Sequence, residues 1–149
     1  MSAELGRHEV ASESPDRLAI LRGIIDALDE RIVELVALRM DTVIEIGRVK
    51  EARGEPVFVP GRHAQVVEHY MDAVPEGSAM TRSDAVDLSE IIQSKSRAAQ
   101  LGDRLAGGGM ANRDPEAAYA ELLANDATLL EMHDGKAVPG IFDTQKAAE

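Results

Sequence analysis

The chain has no cysteine and no tryptophan, and only four aromatic residues: Phe58, Tyr70, Tyr119 and Phe142. Without Cys there is no disulfide framework, no thiolate nucleophile, and no Cys-ligated zinc or iron–sulfur centre. With so few aromatics, a base-stacking platform for single strands has almost nothing to build from. Positive charge is also scarce, with 16 Lys+Arg against 27 Asp+Glu and a net charge of -11. That balance argues against nucleic-acid and membrane partners, which call for a net basic face. No apolar run approaches the roughly 18–20 residues that span a bilayer. The N-terminal stretch lacks a signal-peptide core. The expectation is a soluble, cytoplasmic protein. Its 44% hydrophobic content in 149 residues is enough for a folded domain.

What is present is helical periodicity. Ser14-Pro15-Asp16 reads as a helix start, with Ser14 as cap and Pro15 in the first helical position. Leu18, Leu21, Ile25, Leu28, Ile32, Leu35, Ile46 and Val49 then recur in steps of three and four until Gly54. Such a helix is over about 50 Å long, wider than a 16 kDa globule with a radius of gyration near 15 Å. A monomer could not cover this seam, so the helix is expected to span a homodimer. A second helix is expected over about 62–73, after Pro60-Gly61. A third starts near Thr81, with Asp84 at the capping-box spacing, and runs to Leu105. Gly107-Gly108-Gly109 reads as a flexible break, and Asp114-Pro115-Glu116 starts a short helix to about Glu131. Asp134-Gly135 and Pro139-Gly140 signal turns.

The expected fold is therefore all-α, with three helices per chain, the first very long. Residues 1–14 read as a flexible leader, 15–105 as the helical domain, and 106–149 as an acidic C-terminal extension. Residues 114–149 hold eight acidic and two basic side chains. This extension is expected to pack outside the site or to contact a protein partner. The other reading is a lid, closing over the pocket with Leu122, Leu123, Leu129 or Leu130.

Arg39 interrupts the apolar seam. A buried guanidinium needs compensation, either from a Glu on a neighbouring helix or from an anionic ligand. Lys50 lies 11 residues further, on the same face within roughly 20° and about 16 Å along the axis. Arg22 lies 17 residues before Arg39, about 25 Å away and turned by roughly 100°, so it would reach a shared ligand only from a partner chain. Seven of the 16 basic residues fall between 22 and 62, which favours an anionic small-molecule pocket. Arg31, Arg48 and Arg53 also fit a solvated helix face. Ser96 and Gln100, four apart, share a face of the third helix. Arg62 and His63 stand at the entry of the second helix and also fit a surface reading. The four His show no clear metal-ligand constellation, so no metal is expected.

Taken together, LRGIIDALDERIVELVALRMDTVIEIGRVKEARG, VPGRH and IIQSKSRAAQ resemble the all-helical chorismate mutases over about residues 16–105. Arg22, Arg39, Lys50, Arg62, Ser96 and Gln100 match that pattern, the first three without a gap. The resemblance implies an intertwined dimer with two sites and the rearrangement of chorismate, a small dicarboxylate, to prephenate without a cofactor. It implies that Arg39 and the partner's Arg22 bind carboxylates. Lys50 would contact a carboxylate and the ether oxygen, Gln100 would donate to that oxygen, and Ser96 and Arg62 would complete the contacts. Lys50, Gln100 and Arg39 would be the catalytic set.

Val59 and His63 depart from the family, which commonly has acidic residues at both positions. The family's Glu at position 63 would hydrogen-bond the substrate's ring hydroxyl, and an imidazole can accept or donate in its stead. Pro60-Gly61-Arg62 looks like the branch acting on 4-amino-4-deoxychorismate, and Arg39-Met40-Asp41 like the isochorismate-pyruvate lyases. Both remain alternatives on this scaffold. A non-catalytic partner-binding helical protein is the third.

Overall fold

The computed structural model describes residues 15–132, with side-chain surroundings for 16–125. The leader 1–14, the turns at 134–135 and 139–140, His8, His133 and Phe142 lie outside the described residues, as do the side chains of Leu129 and Leu130. Four helices follow one another: α1 Pro15–Ala52, α2 Pro60–Asp72, α3 Arg82–Leu105 and α4 Pro115–Met132. Among the described residues there is no strand, and no helix is long and apolar enough to cross a membrane.

Local chemistry sets the helix ends. Gly54, at φ +69°, closes α1: its N–H donates to Glu51 O, and Glu55 N–H donates to Lys50 O. This pair of hydrogen bonds is the Schellman arrangement, which needs a left-handed residue at that point. α2 begins two residues before the expected start. Val59 is extended at φ -125°, ψ 110°, and Pro60 is pre-set for the first turn. At the head of α3, Thr81 Oγ1 accepts from Asp84 N–H, and an Asp84 carboxylate oxygen accepts from Thr81 N–H. Asp thus serves in a capping box usually built with Glu or Gln. The Thr81 hydrogen bonds hold the Asp84 carboxyl below its ordinary range.

The chain comprises two compact units, Met1–Ala37 and Leu38–Glu149. In the first, Leu18, Leu21, Ile25, Ile32 and Leu35 are all at least 40% exposed, although they form the expected apolar seam. Arg31 is 7% exposed and pairs with Glu34 at 2.7 Å.

In the second unit α2 and α3 pack together. Its buried side chains include Leu38, Ile44, Val66, Ala85, Ala99 and Ala118. Leu38 and Ile44 are not on the expected seam, whereas the seam residues Ile46 and Val49 are exposed. The face α1 buries within its own chain is therefore a different one.

The first two of the three glycines after α3 form a defined cap. Gly107 and Gly108 sit at φ +68° and +80°; Gly107 N–H donates to Arg104 O and Gly108 N–H to Asp103 O. The segment beyond turns back onto α1. Arg48 grips both Asp103 carboxylate oxygens at 2.7 and 3.1 Å, Asn112 Oδ1 at 2.8 Å and Met110 O at 2.8 Å. Arg113 pairs with Asp41 at 2.8 Å. The Arg48 hydrogen bond holds the Asp103 carboxyl below its ordinary range, and Asp103 raises Arg48 in return. The solvated-face reading of Arg48 is thus replaced by a structural clamp.

Candidate active site

A cavity of about 430 Å³ lies in the second unit, walled by α1, the loop before α2, the first turns of α2, and α3. That is within the usual size of a small-molecule pocket. Arg39, Lys50, Arg62, His63, Ser96 and Gln100 all line it. So do Thr42, Val43, Ile46, Val57, Phe58, Val59 and Val66, which form much of its apolar wall. Arg22 lies in the other unit, is exposed, and is not among the lining residues.

Each polar group described next is oriented by a bond to the protein. Arg39 Nη1 donates to Ser96 Oγ at 2.6 Å, and that hydroxyl donates to Ile92 O at 2.8 Å. The compensation for Arg39 is thus a neutral hydroxyl, and no carboxylate partner is found for it among the described residues. Lys50 Nζ donates to Val57 O at 3.2 Å, across the turn made by Gly54. Gln100 Nε2 donates to Val43 O at 2.7 Å, leaving the second N–H of its amide for another acceptor. The approach of Gln100 to α1 is close: a Cβ at Gly47 would lie 3.5 Å from Gln100 Cγ.

His63 uses both ring nitrogens. Nε2 is 3.0 Å from Glu90 Oε1, and Nδ1 is 3.1 Å from Arg97 Nη1. The side chain is 23% exposed, so it is a cavity residue rather than one pointing to solvent. The Arg97 guanidinium lies 5.5 Å from the centre of the Phe58 ring, and Phe58 meets His63 at 6.2 Å.

Arg97, Phe58 and Gln93 are lining residues that the sequence reading does not single out. Gln93 and Arg97 carry a signal, since 93, 96, 97 and 100 follow the three-four spacing of one helix face. Phe58 carries none, because a loop has no periodicity. The lining holds four cations, Arg39, Lys50, Arg62 and Arg97, and no Asp or Glu among the described residues. Nor is any cluster of three or more His, Asp or Glu found among them with the geometry to hold a metal ion. Such a pocket is suited to a small anion that is oriented by donors on several sides.

Comparison with known proteins agrees with that chemistry. The T-protein of Enterobacter agglomerans is 40% identical over 50 residues, covering 34% of this chain and 13% of that protein. The T-protein of Haemophilus influenzae is 34% identical over 53 residues, covering 36% of this chain and 14% of that protein. The chain therefore spans only a small part of the length of these curated relatives. No solved structure gives a significant match. The family model for chorismate mutase type II matches residues 21–101, more than half of the sequence and including all six of Arg22, Arg39, Lys50, Arg62, Ser96 and Gln100; the chain belongs to that family.

Proposed function

We propose that this chain is a chorismate mutase that acts as a homodimer, rearranging chorismate to prephenate within the cavity. The observation that carries the reading is the convergence of Arg39, Lys50, Ser96 and Gln100 on one cavity whose described lining contains no carboxylate. Family membership supports the same chemistry.

The reaction breaks one C–O bond while forming one C–C bond in a single molecule. The protein has two tasks: to hold a flexible dianion in its compact conformer, and to stabilise negative charge growing on the ether oxygen. Arg39, already oriented by Ser96, offers its remaining N–H groups to a carboxylate. Arg62 adds a second cation to the cavity wall. Lys50 has three donors and Val57 O takes one, so the others serve a carboxylate and the ether oxygen. Gln100 donates its second N–H to that oxygen. As a neutral amide it donates at every relevant pH.

The dimer is supported by the exposed seam on α1, where Leu18, Leu21, Ile25, Ile32 and Leu35 are all at least 40% exposed. Exposed apolar surface of this extent marks an association face. The partner's Arg22 then completes the carboxylate contacts. Residues 15–105 form the catalytic domain in this reading, and the acidic segment after them is accessory.

The test is incubation of the purified chain with chorismate, isochorismate and 4-amino-4-deoxychorismate, with product identification for each. Prephenate from chorismate, unaffected by chelator, is the expected result. Failure to form prephenate overturns the assignment, and pyruvate release from isochorismate would replace it.

A further inference from the structure

We propose that Arg97 is a specificity-determining residue, admitting a dicarboxylate whose ring substituent is a neutral hydroxyl and excluding the analogue with an ammonium there. The inference rests on the pocket reading above and adds a selectivity to it.

Arg97 stands between Ser96 and Gln100 on α3 and lines the same cavity. A guanidinium only donates hydrogen bonds, so at 3.1 Å from Arg97 the His63 Nδ1 must be the acceptor. The ring proton then sits on Nε2, which donates to Glu90 Oε1 at 3.0 Å. His63 is held in one tautomer, with both nitrogens engaged. Glu90 binds the far edge of that ring and does not line the cavity. Phe58 lies under the guanidinium at 5.5 Å and restrains it from swinging away.

A ring hydroxyl beside this group has lone pairs to accept from Arg97. An ammonium has only donors, meets four cations, and finds no carboxylate on the described lining to receive it. Arg97 is itself exposed and stands at the edge of the cavity, and like charges brought together there discriminate by repulsion, which is specificity built against the wrong ligand.

The experiment measures kcat/KM for chorismate and for 4-amino-4-deoxychorismate with the full chain and three variants. The wild type is expected to favour the hydroxyl substrate. Arg97→Gln should shift the ratio toward the amino substrate by about tenfold, Arg97→Glu should shift it further, and Arg97→Lys should keep the wild-type preference. Damage to the fold would lower both substrates together and leave the ratio where it was. An unchanged ratio in both Arg97→Gln and Arg97→Glu overturns the proposal, as does a wild type that turns over the amino substrate equally well. A wild type active on neither substrate overturns the pocket reading itself, and the selectivity with it. A wild type that turns over chorismate without preferring it overturns this inference alone.

Discussion

Arg39 and Arg48 lie nine residues apart on one helix and meet opposite fates. Four of the five N–H donors of Arg48 are taken: Asp103 accepts two, and Asn112 and Met110 accept one each. Arg39 is oriented by one hydroxyl, with no carboxylate found for it among the described residues. The first arrangement is complete in itself and ties α1 to the end of α3 and to the segment after it. The second keeps charge facing a cavity. What separates a structural cation from a cavity-facing one is the partner 55 to 57 residues away, and neither residue's own neighbours in sequence record it. A protein of net charge -11 has ample carboxylate. That the described cavity lining takes none of it is therefore informative.

The contrast is broken most severely on the cavity side. Lys50→Ala and Gln100→Ala are each expected to lower kcat by roughly a hundred- to a thousandfold, with a smaller rise in KM, because under the proposed mechanism each removes a donor used most in the transition state. Steady-state kinetics on chorismate check this, and an effect confined to KM would contradict a role for either side chain at the ether oxygen.

Under the proposed dimer with shared sites, Arg22→Ala and Arg39→Ala homodimers should both be nearly inactive. Random equal mixing of the two chains should recover about a quarter of wild-type activity, since each heterodimer has one doubly altered site and one intact site. Flat activity across mixing ratios, after exchange is demonstrated, would mean that the sites are not shared between chains.

On the clamp side the expected effect is on stability. The Arg48 hydrogen bond lowers the folded Asp103 pKa. The associated stabilisation is therefore complete above the ordinary carboxylate pKa of about 4 and is lost as pH falls through the lower folded value. Asp103→Asn should melt several degrees lower at neutral pH and show a flatter acid limb, with kcat changed by much less than for Gln100→Ala. Thermal melts from pH 7 down to pH 3 test this. The smallest change expected is from Thr81→Ala, which removes a helix cap and should cost about 1 kcal/mol in denaturant unfolding, with activity retained.

The helices are legible in the sequence because their signals are local. Pro15, Thr81 with Asp84, and Pro115 each mark a first turn within four residues of sequence, and Gly54 marks an end; Pro60 reads as the close of a loop, which sets the expected start of α2 two residues late. Asp114 caps α4 by accepting from Ala117 N–H at 3.2 Å, again within reach of sequence reading. Arg39, Lys50, Ser96 and Gln100 stand out because helical spacing fixes angle and rise. The clamp is not legible. Arg48 has Glu45 one turn before it at 3.7 Å, so it fits a surface ion pair equally well until α3 presents Asp103 and the turn at Gly107 brings up Asn112. The glycine run likewise reads as slack, because its left-handed φ values acquire meaning only with the carbonyls they cap. The buried face of α1 escapes sequence reading for a related reason: periodicity reports that a stripe is apolar, and does not say which molecule covers it.

The bond from Gln100 to Val43 O ends on main chain, not on a side chain. Every amino acid at position 43 carries the same carbonyl, so substitution there cannot delete the anchor. The amide's aim is thus insulated from mutational drift in its immediate support, whereas Arg39 depends on a hydroxyl that one base change could remove. The exposed point is Gly47, where a methyl group would just fit against Gln100 at 3.5 Å and anything larger would press on it. For a designer, position 47 is the dial for this site: a residue outside the cavity lining, whose size sets how deeply the amide stands in the cavity.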